Sequence, residues 1–109
     1  MTLVRYGIYL AKLDPTRGSE MAKSRPVVIV SLDVLNQHLA TVVTCPLTTK
    51  MHAGWRSRLP VRCAGKPAEI AVDQIRTLSS QRLGKKIDAL STVDAAKLRQ
   101  VIVEMYGTA

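Results

Sequence analysis

A short stretch in the first third of the chain is apolar at every position: residues 26–30 read PVVIV. A run of β-branched side chains without polar alternation is typical of a strand that is buried on both faces. Its proline stands at the first position, where a strand tolerates a missing N–H. The run therefore predicts a buried strand. Because 109 residues suffice for one core but not for two, we expect a single domain over residues 1–109.

Most other patterns before residue 80 also predict strands. Residues 7–13 alternate between apolar and polar positions, and residues 14–19 have turn chemistry that opens a loop reaching Ser24. A loop of that length is often functional. Further strands are predicted at residues 40–46, 56–61, 68–72 and 75–78, with a turn or short helical piece at 33–38, a polar loop at 48–55 and a turn at 64–67.

The period of the pattern changes near the C-terminus. Ser91 is a good N-cap, Asp94 favours the positive end of a helix dipole, and Gly107 is typical of a helix end. Between them an apolar face predicts a helix, formed by Ala95, Leu98, Val101, Ile102 and Met105. Because strands and helices do not alternate, the chain should be mainly β: a small antiparallel barrel or rolled sheet with a C-terminal helix packed against it.

The chain carries a large excess of positive charge, since 16 lysines and arginines against 8 carboxylates give a net charge of +8. Such an excess favours a polyanionic partner. No apolar run reaches the ~18 residues of a membrane span, and the first residues lack the apolar core of an export signal. Cys45 and Cys63 form no CxxC pair, so we interpret them as reduced thiols, with a single bridge as the alternative. These features predict a cytoplasmic protein that does not associate with membranes.

The sequence lacks the common catalytic motifs GxxxxGK[ST], GxGxxG, HExxH and GxSxG, and it shows no cluster of metal ligands. Any chemistry must then use arginines, hydroxyls and at most a lone carboxylate. That set suits a phosphate, because a guanidinium can bind two phosphate oxygens and keeps its charge. Such groups concentrate in residues 17–26, 48–50 and 73–77.

Each of these residues also has a structural interpretation. Arg25 and Thr48 could simply be residues at strand ends, and Asp73 could pair with Arg76 or cap a turn. Trp55 could stack on a nucleobase or pack on its own domain. The residue types alone leave these alternatives open.

Six segments, in this order and at these intervals, form a distinctive set: IYL at 8–10, LDPTRGSE at 13–20, RPVVIVS at 25–31, CPLT at 45–48, VDQIRT at 72–77 and RLGKKI at 82–87. Together they resemble the MazF/PemK family of toxin endoribonucleases from bacterial toxin–antitoxin systems. The resemblance covers nearly the whole chain. It implies a small SH3-like antiparallel β-barrel of the CcdB/PemK type and a homodimer with a groove at or near the interface.

The resemblance also implies an activity. Single-stranded RNA such as mRNA would be cut at short sequences without a metal ion or another cofactor. The 2′-hydroxyl would attack the adjacent phosphate and leave a 2′,3′-cyclic phosphate and a 5′-hydroxyl. Translation and growth would be inhibited until a cognate antitoxin blocked the groove.

By position in these motifs, Arg25 and Thr48 correspond to the catalytic residues of the family. Some members instead emphasise the aspartate of the DQ motif together with an arginine two residues before it. Here the aspartate is Asp73 but the arginine position is Ala71, so the prediction rests on Arg25 and Thr48. Arginine does not readily give or take a proton. We therefore expect Arg25 to neutralise the phosphorane, and Thr48 to bind a phosphoryl oxygen or orient the 2′-hydroxyl.

The other candidate residues fall into two groups. Candidates for catalysis or RNA contact are Asp73, Glu20 and Ser19. Residues expected to bind RNA through the backbone or the bases are Arg17, Lys23, Lys50, His52, Trp55, Arg56 and Arg76.

Two other functions are compatible with the same fold. A CcdB-like gyrase poison should end in Trp-Gly-Ile, whereas this chain ends in MYGTA. A non-catalytic RNA-binding module would use Arg25 and Thr48 only to hold RNA, and Ala71 keeps that alternative open.

Overall fold

The computed structural model describes residues 2–12 and 24–107, in which strands are the most common element. In chain order the elements are β1 (Gly7–Lys12), β2 (Ser24–Ile29), α1 (Asp33–His38), β3 (Thr41–Thr48), β4 (Arg58–Cys63), β5 (Lys66–Ala71), β6 (Arg76–Ser79), β7 (Leu83–Ala89) and α2 (Thr92–Ile102). Short 3-10 helices at Val72–Gln74 and Ser80–Arg82 flank β6, and a π-helical turn at Val103–Gly107 follows α2. In this part of the chain, no helix is both long and apolar enough to cross a membrane.

The strands of the described residues form one antiparallel, curled sheet. The order along it is β4-β5-β3-β2-β1-β7, and β6 also pairs with β3. Strand β3 changes neighbours along its length, since residues 41–44 pair with β6 and residues 47–48 pair with β5. The prediction of a mainly antiparallel β fold with a C-terminal helix is confirmed.

Both faces of the sheet carry an apolar cluster. In β1, Ile8 belongs to the cluster on one face and Tyr9 to the cluster on the other. Strand β2 divides in the same way, with Val28 in the first cluster and Val27 in the second. Successive side chains of a strand point to opposite faces, so a strand covered on both sides needs apolar residues throughout. This arrangement explains the unbroken run at residues 26–30.

Helix α2 begins where the sequence predicts. The Ser91 hydroxyl accepts a hydrogen bond from the Asp94 N–H at 3.1 Å, which satisfies a free donor of the first turn. Leu98 is fully buried in the first apolar cluster. In the π-helical turn that follows, the Tyr106 hydroxyl donates to the Val72 carbonyl at 2.9 Å. The C-terminal end is thereby tied to the segment that follows β5.

Strand β7 is missing from the sequence prediction. It lies at the edge of the sheet beside β1, and most of its residues are at least partly exposed. Only Leu83 at its start is buried, while Lys85 and Lys86 are exposed. An edge strand of this kind has no apolar alternation to reveal it.

The ends of the predicted strands shift by at most two residues. Strand β2 begins at Ser24, so Pro26 lies inside it and not at its first position. The strand tolerates this proline because β3 pairs with β2 only from Val27 onward, which leaves one side of the backbone unpaired at Pro26. The loop predicted after residue 14 lies outside the described residues up to residue 23.

The hairpin between β4 and β5 turns on only two residues, fewer than the predicted 64–67. Ala64 and Gly65 both have positive φ, at 51° and 80°. Two positive φ angles are typical of a type I′ turn, in which asparagine and glycine are preferred. The Asp88 carboxylate of β7 accepts a hydrogen bond from the Ala64 N–H at 2.7 Å. Bonds from the Ala64 and Ala89 N–H groups lower the pKa of Asp88, so an ionised carboxylate holds the turn against β7.

The two cysteines are buried free thiols, as the first interpretation expected. Burial raises the pKa of Cys45 to about 12 and also raises the pKa of Cys63. Both thiols stay protonated at neutral pH, which makes them poor nucleophiles.

Candidate functional site

A cleft of about 450 Å³ opens where the start of β2, the ends of β3 and β5 and the start of β6 meet the loop at residues 49–57. We call it the polar cleft. Its lining residues are Arg25, Pro46, Leu47, Thr48, Lys50, His52, Arg58, Ala71, Gln74 and Arg76. The sequence predicted five of them as site residues, namely Arg25, Thr48, Lys50, His52 and Arg76.

Arg25 near the start of β2 and Thr48 at the end of β3 lie on neighbouring strands. The antiparallel pairs between these strands run from Val27–Pro46 to Ile29–Thr44, so both residues lie just beyond the paired segment. Both residues line the polar cleft. Arg25 is exposed, and within residues 2–12 and 24–107 no carboxylate forms an ion pair with it. Its guanidinium can therefore bind an anion that enters the cleft.

One hydrogen bond of the Thr48 hydroxyl is already fixed. The Lys50 N–H donates to Thr48 Oγ1 at 3.1 Å. A hydroxyl has one proton and two lone pairs, so this bond uses a lone pair and leaves the proton for an acceptor in the cleft. Thr48 is thus arranged as a hydrogen-bond donor.

Sequence reasoning missed Arg58, whose side chain lines the polar cleft but is only 6% exposed. Its Nε donates to Asp73 Oδ1 at 2.7 Å, and its Nη1 lies 3.4 Å from Glu69 Oε1. The hydrogen bond with Asp73 raises the pKa of Arg58 and lowers the pKa of Asp73. The structure therefore contains an ionised cluster at the base of the cleft.

The register shows why Arg58 stands there. It pairs directly with Ala71 across β4 and β5. Ala71 is the position at which some members of the resembled family have an arginine. The guanidinium beside this position comes from β4 and not from β5, and only the strand pairing reveals it.

Asp73 pairs with Arg58 and not with Arg76, which was one of the structural alternatives for this residue. Asp73 lies in the 3-10 helix Val72–Gln74, which turns its carboxylate toward Arg58. Arg76 begins β6 and lines the polar cleft, as does Gln74. Asp73 thus has the structural role that the sequence left open for it, with a different partner.

Glu69 anchors the loop at residues 49–57. Its side chain is 2% exposed, and both of its carboxylate oxygens accept from the backbone N–H of His52, each at 3.1 Å from the nitrogen. The His52 ring stacks on Trp55 with centroids 4.1 Å apart, and the Arg58 guanidinium lies 5.0 Å from the Trp55 centroid. Trp55 packs on its own domain in this way, although it remains 52% exposed.

Several predicted residues do not join this cleft. The Arg56 guanidinium faces Glu104 at 3.6 Å, is 87% exposed and lines a separate cleft with Trp55, Ser57 and Met105. Arg56 lies in the turn at residues 56–57 before β4 begins, and its contact with RNA stays a prediction. The remaining candidates lie outside the described residues: Arg17, Ser19, Glu20 and Lys23.

A second cleft of about 270 Å³, which we call the apolar cleft, adjoins the first. Its lining residues are Arg25, Pro26, Leu47, Thr48, Thr49, Cys63, Ala64, Lys66, Pro67, Ala68 and Ile87. Arg25, Leu47 and Thr48 line both clefts and form the wall between them. A group bound at Arg25 and Thr48 can therefore extend into either cleft.

The charge of the polar cleft suits a phosphodiester. Arg58 is compensated by Glu69 and Asp73, whereas Arg25, Lys50 and Arg76 form no ion pair in the described part of the chain. Three cations beside a hydroxyl donor can bind and polarise a phosphate. Among the described residues, no group of three or more His, Cys, Asp or Glu is placed to hold a metal ion.

Comparison with known proteins shows the family and the fold of the chain. Residues 4–106 match the family model of the PemK-like, MazF-like toxins of type II toxin–antitoxin systems. The fold is similar to that of the Mycobacterium tuberculosis toxin MazF-mt6, with a TM-score of 0.79, 26% sequence identity and coverage of 94% of this chain and 98% of that chain.

Two solved complexes share the fold at lower identity. An endoribonuclease in complex with its cognate antitoxin from a mycobacterial species has a TM-score of 0.78 and 22% identity, over 99% of this chain and 96% of that chain. A MazE–MazF structure from Deinococcus radiodurans has a TM-score of 0.84 and 17% identity, over 100% of both chains.

Proposed function

The chain belongs to the family of PemK-like, MazF-like toxins of type II toxin–antitoxin systems, and on this basis we propose that it is a toxin that cuts single-stranded RNA at short sequences without a metal ion. The observation that carries the proposal is the polar cleft, which Arg25 and Thr48 line together with the cations Lys50 and Arg76. We propose residues 1–109 as one toxin domain that acts on RNA such as mRNA in the cytoplasm.

In the proposed reaction, the 2′-oxygen of one nucleotide attacks the neighbouring phosphorus. The O2′–P bond forms and the P–O5′ bond breaks, which leaves a 2′,3′-cyclic phosphate and a 5′-hydroxyl. The 2′-hydroxyl proton passes to solvent, and solvent returns a proton to the leaving oxygen, so no water is consumed. Arginine and threonine side chains are poorly suited to carry these protons. The two residues are therefore assigned to charge stabilisation and orientation.

Arg25 would stabilise the extra negative charge of the pentacoordinate phosphorane. Loss of one preorganised donor of this kind costs about 10²–10³ in rate. Thr48 would donate its remaining proton to a non-bridging oxygen, because the Lys50 N–H already occupies one of its lone pairs. Holding the attacking oxygen in line with the leaving oxygen contributes further powers of ten.

The proposed partners are RNA, a cognate antitoxin and a second copy of the chain. Two structures with this fold contain an antitoxin, and the net charge of +8 suits an acidic protein as well as RNA. The homodimer is supported by an apolar surface at α1, where Leu32, Val34, Leu35 and Leu39 are exposed. Subunit interfaces commonly bury surfaces of this kind.

The test uses a long single-stranded RNA incubated with purified protein in buffer containing EDTA, followed by mapping of new 5′-hydroxyl ends. We expect the wild-type protein to cut at a fixed short motif. Arg25→Ala should reduce the rate by at least about 10²-fold while circular dichroism stays unchanged. Arg99→Ala is the matched control, since Arg99 is an exposed arginine on α2 outside both clefts.

Four results would contradict the proposal. Substantial turnover by folded Arg25→Ala would remove the role of Arg25, and activity that requires added Mg²⁺ would indicate another reaction class. RNA binding without cleavage would indicate a binding module, and DNA breaks that depend on gyrase would indicate a gyrase poison.

A further inference from the structure

The apolar cleft has no part in the chemistry assigned to Arg25 and Thr48. It lies beyond the wall formed by Arg25, Leu47 and Thr48, on the side of the β4–β5 hairpin and β7. Residues from both elements close it, so the cleft exists only because β7 lies beside the hairpin turn. Its position next to the proposed reaction centre requires an explanation.

The walls of the apolar cleft are fixed before any ligand binds. The hairpin turn at Ala64 is tied to β7 by the 2.7 Å bond to Asp88. Ala68 is buried in the first apolar cluster, and Ile87 of β7 packs against the same cluster. A preformed pocket costs less conformational freedom on binding than one that must be ordered.

The lining of this cleft indicates the chemistry of its ligand. Pro26, Pro67 and Ile87 provide apolar surface, while Arg25 and Lys66 are its only charged lining residues in the described part of the chain. Apolar walls suit the face of a planar ring, and cations at the edge suit the phosphates on either side of that ring. A nucleotide has both features.

The location limits the nucleotide to the two that flank the scissile phosphodiester. A phosphodiester held at Arg25 and Thr48 carries one nucleoside on each side. Because these two residues line both clefts, one nucleoside can extend into the polar cleft and the other into the apolar cleft. We propose that the apolar cleft binds the nucleobase on one side of the scissile phosphodiester and that Lys66 contacts the next phosphate. This inference rests on the proposed function.

The experiment pairs a change in the protein with a change in the RNA. The protein variant is Lys66→Ala/Pro67→Ala. Its control is Pro60→Ala/Lys85→Ala, which removes one exposed proline and one exposed lysine of the neighbouring strands outside both clefts. The substrates are a short RNA with one cleavage motif and the same RNA with an abasic nucleotide immediately 5′ or 3′ of the cleaved bond.

We expect the double variant to raise KM about tenfold with little change in kcat, because apolar contacts to the base and the phosphate contact hold the substrate equally before and during reaction. At one of the two positions, the abasic nucleotide should raise KM of the wild-type protein by a similar factor and leave KM of the variant nearly unchanged. The control should behave like the wild type. The loss of additivity between the protein change and the abasic change at that position identifies the base that occupies the apolar cleft.

A second measurement does not depend on the variant. Wild-type protein is irradiated with RNA that carries 4-thiouridine at the identified position and a 2′-O-methyl group that prevents cleavage. The crosslinked peptide should contain residues 63–68.

The proposal is overturned if the effects of the double variant and of the abasic nucleotide on KM multiply at both positions. It is equally overturned if the KM of the double variant matches that of its control. It is also overturned if the variant loses inhibition by an acidic antitoxin peptide while its RNA constants are unchanged. Failure of the proposed function is distinguishable, because the wild-type protein would then not cut RNA. In that case the same abasic series, measured as binding by fluorescence anisotropy, decides whether the cleft holds a base.

Discussion

At the residue scale, the cleft depends on the buried ion pair between Arg58 and Glu69. Arg58 is nearly buried and contacts two carboxylates, while Glu69 also accepts the His52 N–H that fixes the loop at residues 49–57. Such a pair stabilises little by itself, because each charge loses its water. Removing one partner is costly, since the other charge is left buried.

Arg58→Met should therefore lower the free energy of unfolding by about 3 kcal/mol, through the unpaired Glu69 carboxylate. Arg58→Met/Glu69→Gln should recover most of that loss, because glutamine keeps an acceptor for the His52 N–H without the charge. Urea unfolding measures both. Arg56→Met is the control, since its exposed pair with Glu104 should be worth less than about 1 kcal/mol. A double variant that is as unstable as Arg58→Met would show that the carboxylate is not the cause.

At the element scale, the β4–β5 hairpin supplies one wall of the apolar cleft and contains a conformational conflict. Ala64 adopts a φ of 51°, which is unfavourable for a residue with a Cβ. The Asp88 hydrogen bond and the six-residue strand pairing hold the turn in place despite this cost. The element as a whole thus determines the backbone angle of one residue against its own preference.

Ala64→Asn should raise the free energy of unfolding by about 0.5–1 kcal/mol, because asparagine tolerates positive φ and is favoured at this position of a type I′ turn. Gly65→Ala should lower it by about 1 kcal/mol. A Cβ at Gly65 would meet nothing within 4 Å, so its effect comes from the φ of 80° alone. Thermal and urea unfolding of both variants measure the two changes, and shifts of the same sign would refute this account of the turn.

At the scale of the whole molecule, the exposed surfaces differ in character. The two clefts join at Arg25 and Thr48, whereas α1 and its flanking residues present leucine and valine to solvent. An exposed apolar group of this kind is unfavourable in water unless another surface covers it. The proposed homodimer would provide that cover.

We expect the wild-type protein to have twice the chain mass of 11.9 kDa in light scattering, and Leu35→Glu to have the mass of one chain. A carboxylate introduced there would be buried without a partner in the dimer but would be solvated in the monomer. Val93→Glu is the matched control, since Val93 is also an exposed apolar residue on a helix. A wild-type protein of single-chain mass would contradict the proposal, and an unchanged Leu35→Glu dimer would move the interface elsewhere.

The sequence by itself determined the secondary structure of those segments whose buried residues form a regular apolar pattern. The unbroken run at residues 26–30 and the apolar face of α2 follow from periodicity, and the motifs around Arg25 and Thr48 led to the family that the comparisons confirm. Such patterns are local, because each depends on residues that are close in sequence, within one strand or a few turns of one helix. The exposed edge strand β7 escaped prediction because its residues carry no such pattern.

Only the tertiary structure decided which side chains meet. Arg58 stands beside Ala71, Asp73 pairs with Arg58 instead of Arg76, and Arg25 and Thr48 line the same cleft. Register depends on the pairing of strands that are distant in sequence. A turn of two residues sets the register of the strand that follows it. The same pairing brings the β4–β5 hairpin beside β7 and so creates the apolar cleft. Contacts of this kind are fixed by packing across the whole sheet and not by the residues nearest in sequence.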